Sequence, residues 1–180
     1  MFMQNEKTTR KISYSEAINE TLMQLMETDE NVFIMGIGVD SPWYVGNTTK
    51  GLMAKFGNKR VIDIPVSENG ITGITIGAAA AGMRPIMIHP RMDFMYLAMD
   101  QLLNHMANAH YMSGGNVNIS VTIRGIVNRG GEQGAQHSQS LQAIFSHIPG
   151  LKVVMPSTPY DAKGLLVSSC LLYTSPSPRD

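Results

Sequence analysis

The segment VIDIPVSENGITGITIGAAAAGMRPIMI, residues 61–88, decides the fold. Arg60 to Ile64 is a short apolar run stopped by Pro65, and Pro85 to Ile88 is a second. Between them Ser67 stands as an N-cap, and Gly82 followed by Pro85 closes a helix from Glu68 to Ala81. Strand, helix and strand in such close succession form the unit that joins neighbouring parallel strands. The helix has a nearly smooth surface, with Gly70, Gly73, Gly77 and four consecutive alanines, and one carboxylate, Glu68, in its first turn.

The same alternation extends in both directions. Upstream, Ser13 and Glu16 have capping-box spacing, and Ile18, Leu22, Leu25 and Met26 recur at helical intervals. Val32 to Met35 is a continuous apolar run ending at Gly36, the signature of a strand covered on both faces. Thr48 or Thr49 opens a short helix through Phe56. Downstream, the pattern predicts a methionine-rich helix from Phe94 to Tyr111, a fourth strand from Val117 to Ile123, a helix reaching about His147, a fifth strand from Leu151 to Met155 and a last helix opened by Thr158-Pro159. The fold class is therefore α/β: a doubly wound, mainly parallel sheet with helices on both faces.

Composition narrows the function. Fourteen acidic residues balance fourteen basic ones among 180, so no net field favours nucleic acid or an anionic membrane surface. The start, MFMQNEKTTRK, lacks the apolar core of a secretory signal, and no run approaches the ~20 apolar residues of a membrane span. Cys170 is the only cysteine, which rules out an internal disulfide framework and a cysteine-rich zinc site and suits a cytoplasmic location. Gly36-Ile37-Gly38 lacks the third glycine of a dinucleotide fingerprint, and no Walker phosphate loop is present, so a nucleotide-binding oxidoreductase has only fold-level support. His105 and His110, five apart, miss the spacing that puts two metal ligands on one helix face.

Two residues fall where ligands bind in such sheets, beyond the carboxyl ends of strands: Glu68 after the second strand, and His137 in the glycine-rich loop after the fourth. Spacing leaves each with two readings. An acid in a first helical turn also complements the helix dipole, and a loop histidine also caps or solvates the next helix.

The blocks VIDIPVSENGITGITIGAAAAGMRPI, MDQLLNHMANAHYMSGG, GAQHSQS and HIPGLKVVMPSTPYDAKGLL, in this order and at these separations, resemble the beta subunit of the decarboxylating component of 2-oxo acid dehydrogenase complexes, the pyruvate and branched-chain enzymes. The resemblance runs from about Lys11 to Ser169. It implies a transketolase-type pyrimidine-binding domain that holds half of thiamine diphosphate at an interface with a second subunit. In that family the glutamate matched by Glu68 hydrogen-bonds a pyrimidine nitrogen and activates the cofactor, and the aromatic residue matched by Phe94 packs on the pyrimidine. The histidine matched by His137 assists substrate handling and acyl transfer. The diphosphate and its magnesium are held by a Gly-Asp-Gly motif, which these 180 residues lack. The implied partners are thus an alpha subunit carrying that motif, in an alpha2-beta2 heterotetramer, a lipoyl-bearing acyltransferase and a small 2-oxo acid, with pyruvate as the default. No metal ligand is expected in this chain.

The segments GIGVDSPWYVGNTTKGL and His89-Pro90-Arg91 depart from the common pyruvate enzymes. Arg91, Arg129 and Glu132 are candidates to meet a substrate with more polar groups than pyruvate, against a reading as solvated loop charges. Residues 1–10 read as a polar tail and 11–170 as the pyrimidine-binding domain, incomplete at its end. LLYTSPSPRD from Leu171 reads as a non-native tail, with the family's C-terminal domain absent. The alternative to a catalytic subunit is a non-catalytic interaction module of the same fold.

Overall fold

A computed structural model describes residues 10–128 and 133–172. Its centre is a four-stranded, fully parallel sheet in the order β2-β1-β3-β4, with β1 at Val32–Gly36, β2 at Val61–Asp63, β3 at Arg84–His89 and β4 at Thr122–Gly125. The chain steps from β1 outward to β2, then crosses back over β1 to β3, so the winding direction reverses between β1 and β3. That reversal opens the crevice where doubly wound sheets bind ligands.

Strand parity sorts the core into two layers. Val32, Ile34, Ile86 and Ile88 face α1 (Tyr14–Thr28) and α7 (Pro159–Leu171), which pack against each other on that side. Phe33, Met35 and Met87 face the opposite way, toward Ile71 and Ala78 of α4 (Glu68–Ala80). Helices thus cover both faces, as the continuous apolar strands predict. The expected capping box of α1 forms, with the Ser13 and Glu16 side chains each bonding the other's backbone, and α7 has a second one between Thr158 and Asp161. Gly36 is required where β1 meets β3: a Cβ there would lie 2.6 Å from the Ile88 carbonyl oxygen.

Between β1 and β2 lie two short helical turns, α2 (Tyr44–Asn47) and α3 (Leu52–Phe56). All four α2 residues have positive φ, including the buried, β-branched Val45 at 48°. Such a turn is strained and is fixed by its surroundings. Thr48 Oγ donates to the Val45 carbonyl and Thr49 Oγ to that of Val39, while Asn19 donates to the carbonyls of Thr48 and Lys50.

Four sequence expectations need correction. The short helix expected to open at Thr48 or Thr49 starts at Leu52, after Gly51, because both threonine hydroxyls donate to loop carbonyls instead of capping it. The helix expected over 94–111 is segmented into a 3-10 helix at Met92–Ala98, a π-helix at Gln101–Met106 and α5 at Ala109–Met112. The fourth strand is four-residue β4, shifted toward the carboxyl end of the expected run, because its register is set by pairing His89 with Gly125 and Ile86 with Thr122. The fifth strand does not form. After α6 (Gln142–Ser146), Leu151 to Met155 runs without ladder bonds, and a cavity of about 480 Å³ separates it from β4. The segment is pinned at both ends. Gly150 sits so tightly on Ala107 that a Cβ would lie 2.3 Å from that residue's carbonyl oxygen, and the Tyr14 hydroxyl donates to the Pro156 carbonyl at 3.2 Å. None of Glu68, Phe94 or His137 lines this cavity, so it is a packing gap at the sheet edge and not the candidate site. Among the described residues, no helix is long and apolar enough to cross a membrane.

Candidate functional site

The carboxyl edge of the sheet collects the candidate residues, each on the segment leaving a different strand. After β2, Pro65 to Ser67 leads directly into α4, whose first residue is Glu68. Ser67 occupies the N-cap position as expected, but its side chain makes no capping bond. Glu68 is buried, at 5% exposure, and has no hydrogen-bond or ion-pair partner among the described residues. The described residues thus offer its carboxylate no bond that would explain its placement.

Below Glu68, the inner face of α4 continues through Thr72 and Thr75, both fully buried. Thr75 Oγ lies 3.8 Å from Met35 Sδ and 3.9 Å from Met87 Sδ, which fixes the level at which helix and sheet meet. Helix and strand run in opposite directions in such a unit. One turn back to Thr72 and two residues on to His89 therefore approach the same carboxyl edge, with Glu68 a further turn beyond. His89 is fully buried, neither ring nitrogen has a partner, and burial lowers its pKa to about 4. Its ring is held neutral.

After β3, the chain passes through Pro90 and Arg91 into the 3-10 helix that carries Phe94. After β4 it reaches the loop that carries His137, and these two candidates meet. The Phe94 and His137 rings stand edge to face, 5.0 Å between centroids and 85° between planes. Two clasps hold the His137 loop to the segment before Phe94. Buried Asp93 accepts bonds through Oδ1 from the Gln139 amide, from the backbone at 3.2 Å and from the side chain at 2.9 Å. Arg91 donates from Nε, at 2.9 Å, and from Nη2 to the Gln133 side-chain oxygen. Between them, the His137 backbone N–H closes a turn onto the Gly134 carbonyl.

The structure thus brings Phe94 and His137 together and sets Glu68 on the adjoining helix, which packs on the 3-10 helix. Arg129 and Glu132 lie outside the described residues. Sequence reasoning missed Asp63 and Asp93, and named His89 only as a departure from the pyruvate enzymes. Asp63 accepts from the backbone N–H groups of Gly38, at 2.7 Å, and Val39, at 3.1 Å, and so ties the loop after β1 to the end of β2. The available signal was a charged residue inside an otherwise apolar strand, VIDI. His89 gave a similar one in PIMIH.

This edge therefore carries a buried carboxylate on α4 and, on the neighbouring 3-10 helix, an aromatic ring packed against a histidine. Among the described residues, no three His, Cys, Asp or Glu side chains gather as a metal site.

Residues 10–177 match the family model described as transketolase, pyrimidine binding domain. The chain is 46% identical over 170 residues to the acetoin:2,6-dichlorophenolindophenol oxidoreductase subunit beta of Cupriavidus necator, covering 89% of this chain and 50% of that protein. It is 45% identical over 154 residues to the pyruvate dehydrogenase E1 component subunit beta of Gracilaria tenuistipitata var. liui, covering 86% and 48%. The chain spans about half the length of these curated relatives. Among solved structures, a chain titled split gene transketolase, inactive beta4 tetramer, shares the fold with a TM-score of 0.70 at 16% identity, covering 92% of this chain and 50% of that one.

Proposed function

The chain belongs to the transketolase pyrimidine-binding domain family, and on that premise we propose that it is the pyrimidine-binding part of the beta subunit of a thiamine diphosphate-dependent 2-oxo acid dehydrogenase. The observation that carries this reading is Glu68, buried at the carboxyl edge of the sheet with no partner of its own. A carboxylate in that state is provided for a ligand, and a ring nitrogen bearing a proton satisfies it.

Thiamine diphosphate, when bound, supplies a carbon acid that reacts with the carbonyl of a 2-oxo acid. Glu68 accepts a hydrogen bond from the pyrimidine and so fixes which ring form is present, a selection that needs its negative charge. Phe94 offers an apolar face to the ring, and its packing against His137 holds that imidazole in one orientation. His137, a residue type that exchanges protons near neutral pH, gives or takes a proton at the substrate oxygen. Closing the site against another subunit removes water and strengthens each of these contacts.

The diphosphate and magnesium then belong to an alpha partner with a Gly-Asp-Gly motif, in an alpha2-beta2 assembly. A lipoyl-bearing acyltransferase receives the acyl group. The single cysteine, buried Cys170, whose thiol burial pushes up to about 11, suits a cytoplasmic setting.

The test is coexpression of the beta chain with such a partner and measurement of thiamine diphosphate-dependent 2-oxo acid decarboxylation for wild type and Glu68→Gln. Loss of about 10²-fold or more in kcat with the complex still assembled is expected. A Glu68→Gln complex as active as wild type would overturn the assignment, and an assembled but inactive wild type would favour the non-catalytic module.

A further inference from the structure

The curated relatives divide between an uncharged substrate, acetoin, and an anionic one, pyruvate, at nearly equal identity. Identity therefore does not choose the substrate class, but one side chain at the site does. Arg91 is half-buried at the start of the 3-10 helix, and the Phe94 backbone N–H donates to its carbonyl. Its guanidinium is the cation on the very segment that presents Phe94, yet among the described residues it forms no ion pair. Its partners among the described residues are neutral: the Pro90 carbonyl for Nη1, and the one Gln133 amide oxygen for both Nε and Nη2.

The Nε and Nη2 pair is the edge of arginine that grips a carboxylate side-on through two parallel hydrogen bonds. Here a single uncharged oxygen, on an exposed residue four positions before His137, fills it. A carboxylate offers two oxygens and a charge in the same place and displaces the amide. A cation gripping the carboxylate that departs as carbon dioxide would stabilise the ground state more than the transition state, and so work against decarboxylation. A second carboxylate, remote from the scissile bond, keeps its charge throughout and suffers no such penalty.

We propose that Arg91 is the receptor for a second, non-reacting carboxylate of the substrate, with Gln133 holding its place, so that this site takes 2-oxo dicarboxylic acids in preference to pyruvate or a neutral hydroxyketone. The inference rests on the 2-oxo acid reading above and deepens it.

The test compares the assembled alpha–beta complex with its Arg91→Gln and Arg91→Lys variants on acetoin, pyruvate and 2-oxoglutarate, and measures binding of glutarate, which cannot react, by calorimetry. The wild type should prefer 2-oxoglutarate. Arg91→Gln should lose about 10- to 100-fold more in kcat/KM on 2-oxoglutarate, through KM, than it loses on pyruvate, where only the freed Gln133 clasp is felt. Arg91→Lys, which keeps the charge without the fork, should fall between. A wild type that prefers pyruvate or acetoin, or an equal loss on pyruvate and 2-oxoglutarate, overturns the proposal. If no 2-oxo acid is turned over, the reaction reading fails by itself. Glutarate binding that Arg91→Gln abolishes still supports the carboxylate receptor, and no glutarate binding by wild type overturns it.

Discussion

His89 sets a measurable pH dependence at the residue scale. Its folded pKa is lowered by burial from 6.5 to about 4, so the unfolded chain binds a proton more readily than the folded one. Stability from the neutral ring is complete above about pH 6.5 and is lost as pH falls toward 4, below which the loss levels off. The shift corresponds to on the order of 3 kcal/mol. Urea unfolding of wild type and His89→Phe at pH 7.5, 5.5 and 4.5 should show wild type losing more stability on acidification than the variant. Identical pH dependence in the two would mean that His89 gains a proton or a partner in the fold. Glu16, Glu20 and Asp161, whose pKa values hydrogen bonds lower, add a loss common to both proteins at more acid pH.

At the element scale, the clasp between Asp93 and Gln139 is what turns two loops into one surface. Asp93→Ala removes the acceptor of two bonds from Gln139 and should release the loop that holds His137 against Phe94. The ring-proton shifts of His137 should move toward those of an exposed histidine, and kcat in the assembled complex should fall by about tenfold or more through misplacement. Unchanged His137 shifts in Asp93→Ala would show that ring packing alone places the imidazole. This clasp also marks where the sequence stops being legible. β1, β3, α1 and α4 were readable because buried parallel strands are continuously apolar and helix ends carry local signals such as Ser13 with Glu16. An apolar period does not distinguish α-helix from the 3-10 and π segments between Met92 and Met106, which differ only in which carbonyl accepts each bond. The run from Leu151 to Met155 has a strand's composition, but its ends are fixed by Gly150 on Ala107 and by Tyr14 on Pro156, partners far away in sequence. Glu68, Phe94 and His137 could be singled out. That Phe94 and His137 touch, and that Asp93, Gln133 and Gln139 arrange it, depends on long-range loop contacts with no periodic signature.

At the scale of the whole molecule, α4 has two faces with different purposes. Inward, Glu68, Thr72, Thr75 and Ala79 meet the sheet and the site; outward, Gly70, Gly73, Gly77, Ala80 and Ala81 lie exposed, with Ile74 at 57%. Glycine in a helix interior costs up to about 1 kcal/mol relative to alanine, and a Cβ at Gly77 would meet nothing within 4 Å, so the chain's own packing does not account for that residue. A backbone brought close to a second subunit would account for it. On the function proposed above, half a cofactor site and a smooth outer face would belong to one arrangement, in which assembly completes the site. Gly77→Leu should leave the melting temperature of the isolated chain within a few degrees of wild type, since the new side chain points into open space. It should also weaken assembly with the alpha partner, read by sedimentation velocity, and thiamine diphosphate-dependent activity should fall in parallel. A Gly77→Leu chain that assembles as tightly as wild type would move the subunit contact away from this face of α4 and leave Glu68 to be covered by a different surface.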